Sequence, residues 1–170
     1  MGLFSNLTLD SMEDLLLVEI EDLYDAEQRL TKALPKMAEA ASNSKLKSAF
    51  KDHLRETELH VARLEKVFNL LGQSATSKTC EAMKGLVAEG EEVISADGED
   101  EVRDAALIAA AQRVEHYEIA AYGSARTFAE QLGQPDIAQL LQQTLEEEYM
   151  ADEKLTKIAE SSVNKSAARM

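Results

Sequence analysis

Leu16, Ile20, Leu23, Glu27, Leu30 and Leu34 recur at steps of three and four, the spacing of one helical face. Three further long segments repeat it. The second carries Leu46, Phe50, His53, Thr57, His60 or Val61, Leu64 and Val67. The third runs from about Glu101 to Leu132, and the fourth carries Leu141, Leu145, Glu148, Asp152, Leu155 and Ala159 to about Val163. Punctuation agrees with this division. Ser11 is placed to cap the first helix, "SNSK" (Ser42 to Lys45) the second, and Gly72 and Gly133 stand where closing glycines belong. Pro135 opens the fourth helix at an N1-like position. Pro35 predicts a kink or an end to the first helix, with "KMAEAA" continuing at an angle.

Each long helix spans roughly 35–45 Å at the usual rise. Short joins make antiparallel hairpins of the first and second helices and of the third and fourth. The join between the hairpins is long and holds a shorter helix, roughly Cys80 to Ser95. An all-α, ferritin-like four-helix bundle with one long crossover carrying a short fifth helix fits this pattern. It forms a single domain over 1–170, with a polar lead at 1–10 and a frayed tail at about 164–170.

Net charge is −14, which excludes the basic face that nucleic acid or an anionic membrane requires. One cysteine, Cys80, excludes a disulfide framework and any four-cysteine metal site. No apolar run approaches a membrane span, and "MGLFSNLTLD" has neither the basic start and apolar stretch of a signal peptide nor the myristoylation pattern. The expectation is a soluble cytoplasmic protein with no nucleic-acid or membrane partner.

Acids interrupt every apolar stripe. Glu27 lies between Leu23 and Leu30. The second helix carries Glu56 and His60 one turn apart, with His53 one turn earlier. The third carries Glu115 and Glu118, and the fourth Glu148 and Asp152. A single Glu beside an apolar stripe usually reaches solvent; one near the middle of all four helices is a different signal. A buried ionised carboxylate costs several kcal/mol. No Lys or Arg shares these lines, since Arg29, Lys32, Arg63, Arg113 and Arg126 are expected on other faces. Two divalent cations would balance four such charges. Carboxylates with a few imidazoles suit iron, manganese or zinc. His116 lies about 100° round the helix from Glu115 and is expected to point away.

The phrases "DLYDAEQRLTKALPKMA", "HLRETELHVARLEKVF", "EVRDAALIAAAQRVEHYEIAAYG" and "LEEEYMADEKL", with "CEAMKGLVAEGEEVI" between them, cover most of the chain in order. In them the chain resembles the YciE/YciF-type ferritin-like stress proteins and, more distantly, the rubrerythrin bundle. The resemblance implies Glu27 as a first-helix ligand, Glu56 as a bridging ligand, Glu115 and Glu118 as a bridging and a terminal carboxylate, and Glu148 as the fourth-helix ligand. Two departures stand out. His60 follows Glu56 by four residues rather than three, and Asp152 stands where an imidazole is expected. Both keep to one helical face, so the expected metal set is Glu27, Glu56, His60, Glu115, Glu118, Glu148 and Asp152. His53 and Tyr122 are expected to support the ligands from behind.

The functional expectation is a dinuclear carboxylate-bridged centre, with iron as the first choice and manganese or zinc as alternatives. It would carry out ferroxidase-type oxidation of Fe(II) by O2 or H2O2 in stress response. Two alternatives stand beside it: a structural or interaction stress protein without turnover, and a manganese catalase-like peroxide dismutase. A homodimer is expected from the way such bundles pair.

Overall fold

The computed structural model describes residues 9–170. The polar lead expected at 1–10 lies outside them except for Leu9 and Asp10. Helix α1 spans Met12–Ala40, α2 Ser44–Leu70, α3 Glu81–Ser95, α4 Asp100–Gln131 and α5 Pro135–Ile158. Helices α1 and α2 pack as one hairpin and α4 and α5 as another; α2 lies against α5, and α1 against α4. The crossover helix α3 lies on the outer side of α1 and α4. This is the ferritin-like arrangement, and it places the mid-points of four long helices around one axis. No helix among the described residues is long and apolar enough to cross a membrane.

Local chemistry sets the boundaries. Ser11 Oγ accepts the Asp14 N–H at 3.0 Å, and Asn43 Oδ1 accepts those of Lys45 and Leu46 at 3.0 and 3.2 Å. Gly72 (φ +68°) and Gly133 (φ +66°) close α2 and α4 in the left-handed conformation that favours glycine. Buried Asp104 of α4 ties the α1–α2 turn to the other hairpin, accepting the Ser42 and Asn43 N–H groups at 2.8 and 2.7 Å and the Ser42 hydroxyl at 2.6 Å. Asp104→Ala strands those donors, so a loss of about 3 kcal/mol is expected in urea denaturation.

Of the outcomes open at Pro35 the helix takes continuation: α1 runs on through "KMAEA" to Ala40. Proline withholds one i→i−4 bond, but Ala33, Leu34, Met37 and Ala38 are buried on either side of it and hold the last turns by packing. Helix α5 stops at Ile158, a π-turn spans Ala159–Val163, and a short helix α6, Asn164–Ala167, follows where a frayed tail was expected. The wider turn brings Ile158, Ala159 and Val163 to the core together.

The core is divided. One apolar cluster, with Leu34, Leu46, Phe50, Ile108 and Leu155, fills the end near the α1–α2 turn. The other, with Leu16, Ile20, Phe68, Tyr122 and Leu141, fills the opposite end. Between them along the axis lie Glu27, His53, Thr57, His60, Glu115, Glu118 and Glu148, all buried.

Candidate metal centre

Each helix delivers its polar side chains to this layer from the stripe that otherwise buries Leu and Ala. Glu27 follows Leu23 and precedes Leu30 on α1, and on α2 His53, Thr57, His60 and Leu64 form one line. Glu115 and Glu118 of α4 are one turn apart, and Glu148 of α5 follows Leu141 and Leu145.

These side chains form two groups. His53, Glu115, Glu118 and Glu148 make one; Glu27, His60 and Glu148 make the other. Within each, one donor atom from every residue lies within 4.8 Å of the rest. Glu148 belongs to both, with Oε1 at 2.9 Å from His60 Nδ1 and Oε2 at 3.7 Å from His53 Nε2. Glu27 Oε1 lies 3.3 Å from His60 Nδ1, and Glu115 Oε1 lies 3.4 Å from His53 Nε2.

Hydrogen bonding leaves the inward atoms free. Glu27 Oε2, Glu115 Oε2, both oxygens of Glu118 and of Glu148, His53 Nε2 and His60 Nδ1 have no hydrogen-bond partner among the described residues. Buried polar groups are ordinarily satisfied, and a convergent set of orphaned carboxylate and imidazole donors could hold a cation. Four buried carboxylates match two divalent ions in charge, and the oxygen-rich set with one imidazole per group suits iron, manganese or zinc. The residues fit a dinuclear centre.

The electrostatics record the same crowding. Burial, reinforced by neighbouring carboxylates, pushes Glu115 and Glu118 well above the usual carboxylate range. Glu27 is also raised, again by burial first. Burial opposes charge on the histidines, but the surrounding acids win. His53 is raised to about 9 by Glu115, Glu56 and Glu148, and His60 to about 11 by Glu148 and Glu27. Glu148 is lowered despite its burial, because His60 and His53 face it.

The expected ligands divide. Glu27, His60, Glu115, Glu118 and Glu148 are brought together; Glu56 and Asp152 are not. The Glu56 side chain is 47% exposed and its Oε2 meets the outward His53 Nδ1 at 3.3 Å. On a regular helix Glu56 sits about 60° round from His53, off the inward line. His53, expected behind the ligands, takes the inward place. Asp152 is half-buried and turned toward α4, where Oδ1 accepts from Gln112 Nε2 at 3.0 Å and Oδ2 lies 3.5 Å from His116. His116 is exposed, as its angle predicts. Tyr122 donates to Glu27 Oε1 at 2.5 Å from full burial and fixes that carboxylate's orientation.

Two residues escaped sequence reasoning. Arg63, assigned to an outer face, is 8% exposed and donates to Glu147 Oε2 at 2.8 Å and to Thr144 Oγ1 at 2.5 Å. Glu147 Oε2 in turn lies 2.8 Å from His60 Nε2. Arg63 sits one turn after His60 and Glu147 directly precedes Glu148, so adjacency to ligands was the available signal. With a cation bound, a proton kept on Nε2 by Glu147 would leave the Nδ1 lone pair for the ion, the way outer carboxylates prepare a ligating imidazole.

The Tyr117 hydroxyl, between the two acids of α4 in sequence, donates to Asp22 and meets Cys80 Sγ at 3.1 Å. This links α1, the N-cap of α3 and α4 outside the buried layer. Cys80 Sγ also accepts the Met83 N–H at 3.3 Å.

Known proteins share this frame. A family model described as "Domain of unknown function (DUF892)" matches residues 11–168. Protein YciF of Escherichia coli (strain K12) is 48% identical over 162 residues, covering 95% of this chain and 98% of that protein. The crystal structure of the E. coli stress protein YciF matches with a TM-score of 0.89 and 49% identity, over 92% of this chain and 99% of that one. YcfI from Rhodopseudomonas palustris matches with a TM-score of 0.87 and 44% identity, over 93% and 99%. A family model spanning almost all the described residues and a relative nearly half identical lead to one statement: the chain belongs to the DUF892 family, alongside which YciF is similar to it from end to end.

Proposed function

We propose that this protein binds two divalent metal ions in the buried layer and oxidises Fe(II) there with O2 or H2O2, as part of a stress response. The observation that carries the reading is the set of orphaned buried donors from four helices, with Glu148 common to both groups. Iron(II) is the substrate. Two Fe(II) give up one electron each, and O2 takes both with two protons and leaves as hydrogen peroxide.

The chain's own residues supply the surroundings. Four carboxylates favour the more highly charged product ion. Glu148, placed between His53 and His60, would hold two bound ions near each other, so that both could serve one oxidant. The apolar clusters shield the layer from water at its two ends along the bundle axis. Tyr122 holds Glu27 in place, and Glu147 holds His60. The stress link is supported by the name given to the E. coli relative.

A structural role has been ascribed to the R. palustris relative, which favours a second reading in which the ions, zinc among them, pin four helices together without turnover. Anaerobic addition of two Fe(II) per chain followed by air separates the two. Ferroxidase activity gives a ferric absorption band within seconds to minutes. In the Glu115→Gln, Glu118→Gln double variant the band should fall at least ~100-fold in initial rate, because both removed charges belong to the binding set. Stable zinc binding with iron oxidation no faster than in buffer would favour the structural role instead. Oxygen evolution from peroxide by manganese-loaded protein would point to the dismutase.

A further inference from the structure

The two histidines present opposite ring nitrogens to the layer. His60 faces inward with Nδ1 and His53 with Nε2, and each rests its outward nitrogen on a different Glu. The two outer carboxylates are held very differently. Glu147 is gripped on both oxygens by Arg63, at 2.8 and 3.2 Å, and the same guanidinium is anchored on buried Thr144. Glu56 makes no contact of this kind besides His53 among the described residues, and half its side chain faces solvent.

The surroundings differ in the same sense. A cleft between α2 and α5 is lined by Phe50, His53, Glu56, Lys154 and Leu155, together with the buried Glu115 of α4. Its lysine, Lys154, is engaged by Asp52 at 3.1 Å. Two groups of the inner set, His53 and Glu115, therefore line a cleft together with the half-exposed Glu56, whose one contact of that kind among the described residues is to His53. Further along the same pair of helices His60 is fully buried, and the Arg63–Glu147–Thr144 contacts between α2 and α5 cover its outer edge.

We infer that the two cation positions exchange with solvent at different rates. The position at His53 opens through the α2–α5 cleft past Glu56, and the position at His60 is locked by the Arg63–Glu147 clamp. The inference rests on the dinuclear reading proposed above. Physically, an ion leaves only as its ligands let go, and an imidazole swings away only when its outward hydrogen bond breaks. Water readily replaces an exposed contact such as that of Glu56. Breaking into a half-buried carboxylate held on both oxygens by a buried guanidinium strands charge on Glu147 and Arg63. Outer carboxylates typically change metal affinity 10–100-fold, so the two positions should differ at least ~10-fold in release rate. Cargo iron would then enter and leave at His53 while the ion at His60 stays.

The test uses the full-length protein loaded with zinc and mixed with excess EDTA, with free and bound zinc followed over time. Two phases of one ion each are expected, at least ~10-fold apart. Arg63→Lys and Glu147→Gln should accelerate the slow phase alone, and Glu56→Gln should alter the fast phase alone. A change confined to one phase is not what general loosening of the fold produces. Wild-type crystals loaded with zinc and soaked briefly in EDTA give an answer independent of any variant: the anomalous peak at His53 should fade first. Release of both ions in one phase, or earlier loss at His60, overturns the inference and leaves the dinuclear reading standing. Fewer than two zinc ions per chain before EDTA overturns both.

Discussion

Glu148→Gln is expected to strip both cations from the protein at once. Zinc or iron retained after desalting should drop from about two ions per chain to near none, with affinity weakened more than ~100-fold at each position. The reason is topological. Among the described residues Glu148 alone is shared by the two donor groups, with one oxygen directed to His60 and the other toward His53. Glutamine keeps the shape but removes the charge and turns one oxygen into an N–H2 donor aimed at a cation. Asp152→Asn is the matched comparison, one turn further along α5. Asp152 is held by Gln112 outside the layer, so metal content should stay at the wild-type value. Mass spectrometry of metal content on the two variants, with circular dichroism to verify helicity, decides the matter. Equal retention of metal by Glu148→Gln and wild type would remove Glu148 from the bridge.

The second large effect is on stability against pH. The metal-free protein should be most stable in weakly acidic solution and lose stability steadily above neutrality. The sign follows from the direction of each shift. His53 and His60 have folded values of about 9 and about 11 against an ordinary 6.5. Their contribution is full below 6.5 and is lost as pH climbs through the folded values. Glu27, Glu115 and Glu118 are raised from 4.5 and act in the same direction, since their protonated forms are the ones the fold favours. Glu148 is lowered and acts in the opposite direction, contributing above 4.5 and failing in acid.

Cations should replace the protons. Binding at 100 times Kd adds about 2.7 kcal/mol per ion, and a chain of this size gains roughly 2–4 °C per kcal/mol. Two zinc or manganese ions should therefore raise Tm by on the order of 10–20 °C near pH 8, with protons released on binding. Thermal melts from pH 5 to 9, with and without metal, make the comparison. A metal-free Tm that rises from pH 6.5 to 9 would contradict the assignment of these groups.

Much of this fold and of its buried layer is legible in the amino-acid sequence. The 3.6-residue recurrence of Leu and Ile, with Gly72, Gly133 and Pro135 as punctuation, carries the four long helices, because the forces behind it are local or stripe-like. Acids on the stripe marked the buried layer for the same reason. What stayed hidden depends on side-chain direction and reach. Glu56 and His53 differ by less than a turn in angle, and either can face a bundle axis until neighbouring helices are placed. Arg63 has a long stem, so its Cβ position says little about where its guanidinium ends. Glu147 is hidden in "LEEEY", where only contact with α2 distinguishes it from its solvated neighbour Glu146. The π-turn at Ala159–Val163 has no side-chain signature of its own.

The division of labour between the hairpins has a consequence for assembly of the chain. Helices α1 and α2 contribute Glu27, His53 and His60, whereas α4 and α5 contribute Glu115, Glu118 and Glu148. Each hairpin closes through a short turn and can form early from local contacts. One half then presents two imidazoles with a single acid, and the other presents three acids. Docking joins unlike partners, with protonated histidines acting as provisional counter-ions. Bound ions would bear mainly on separation of the finished halves, slowing unfolding more than they speed folding.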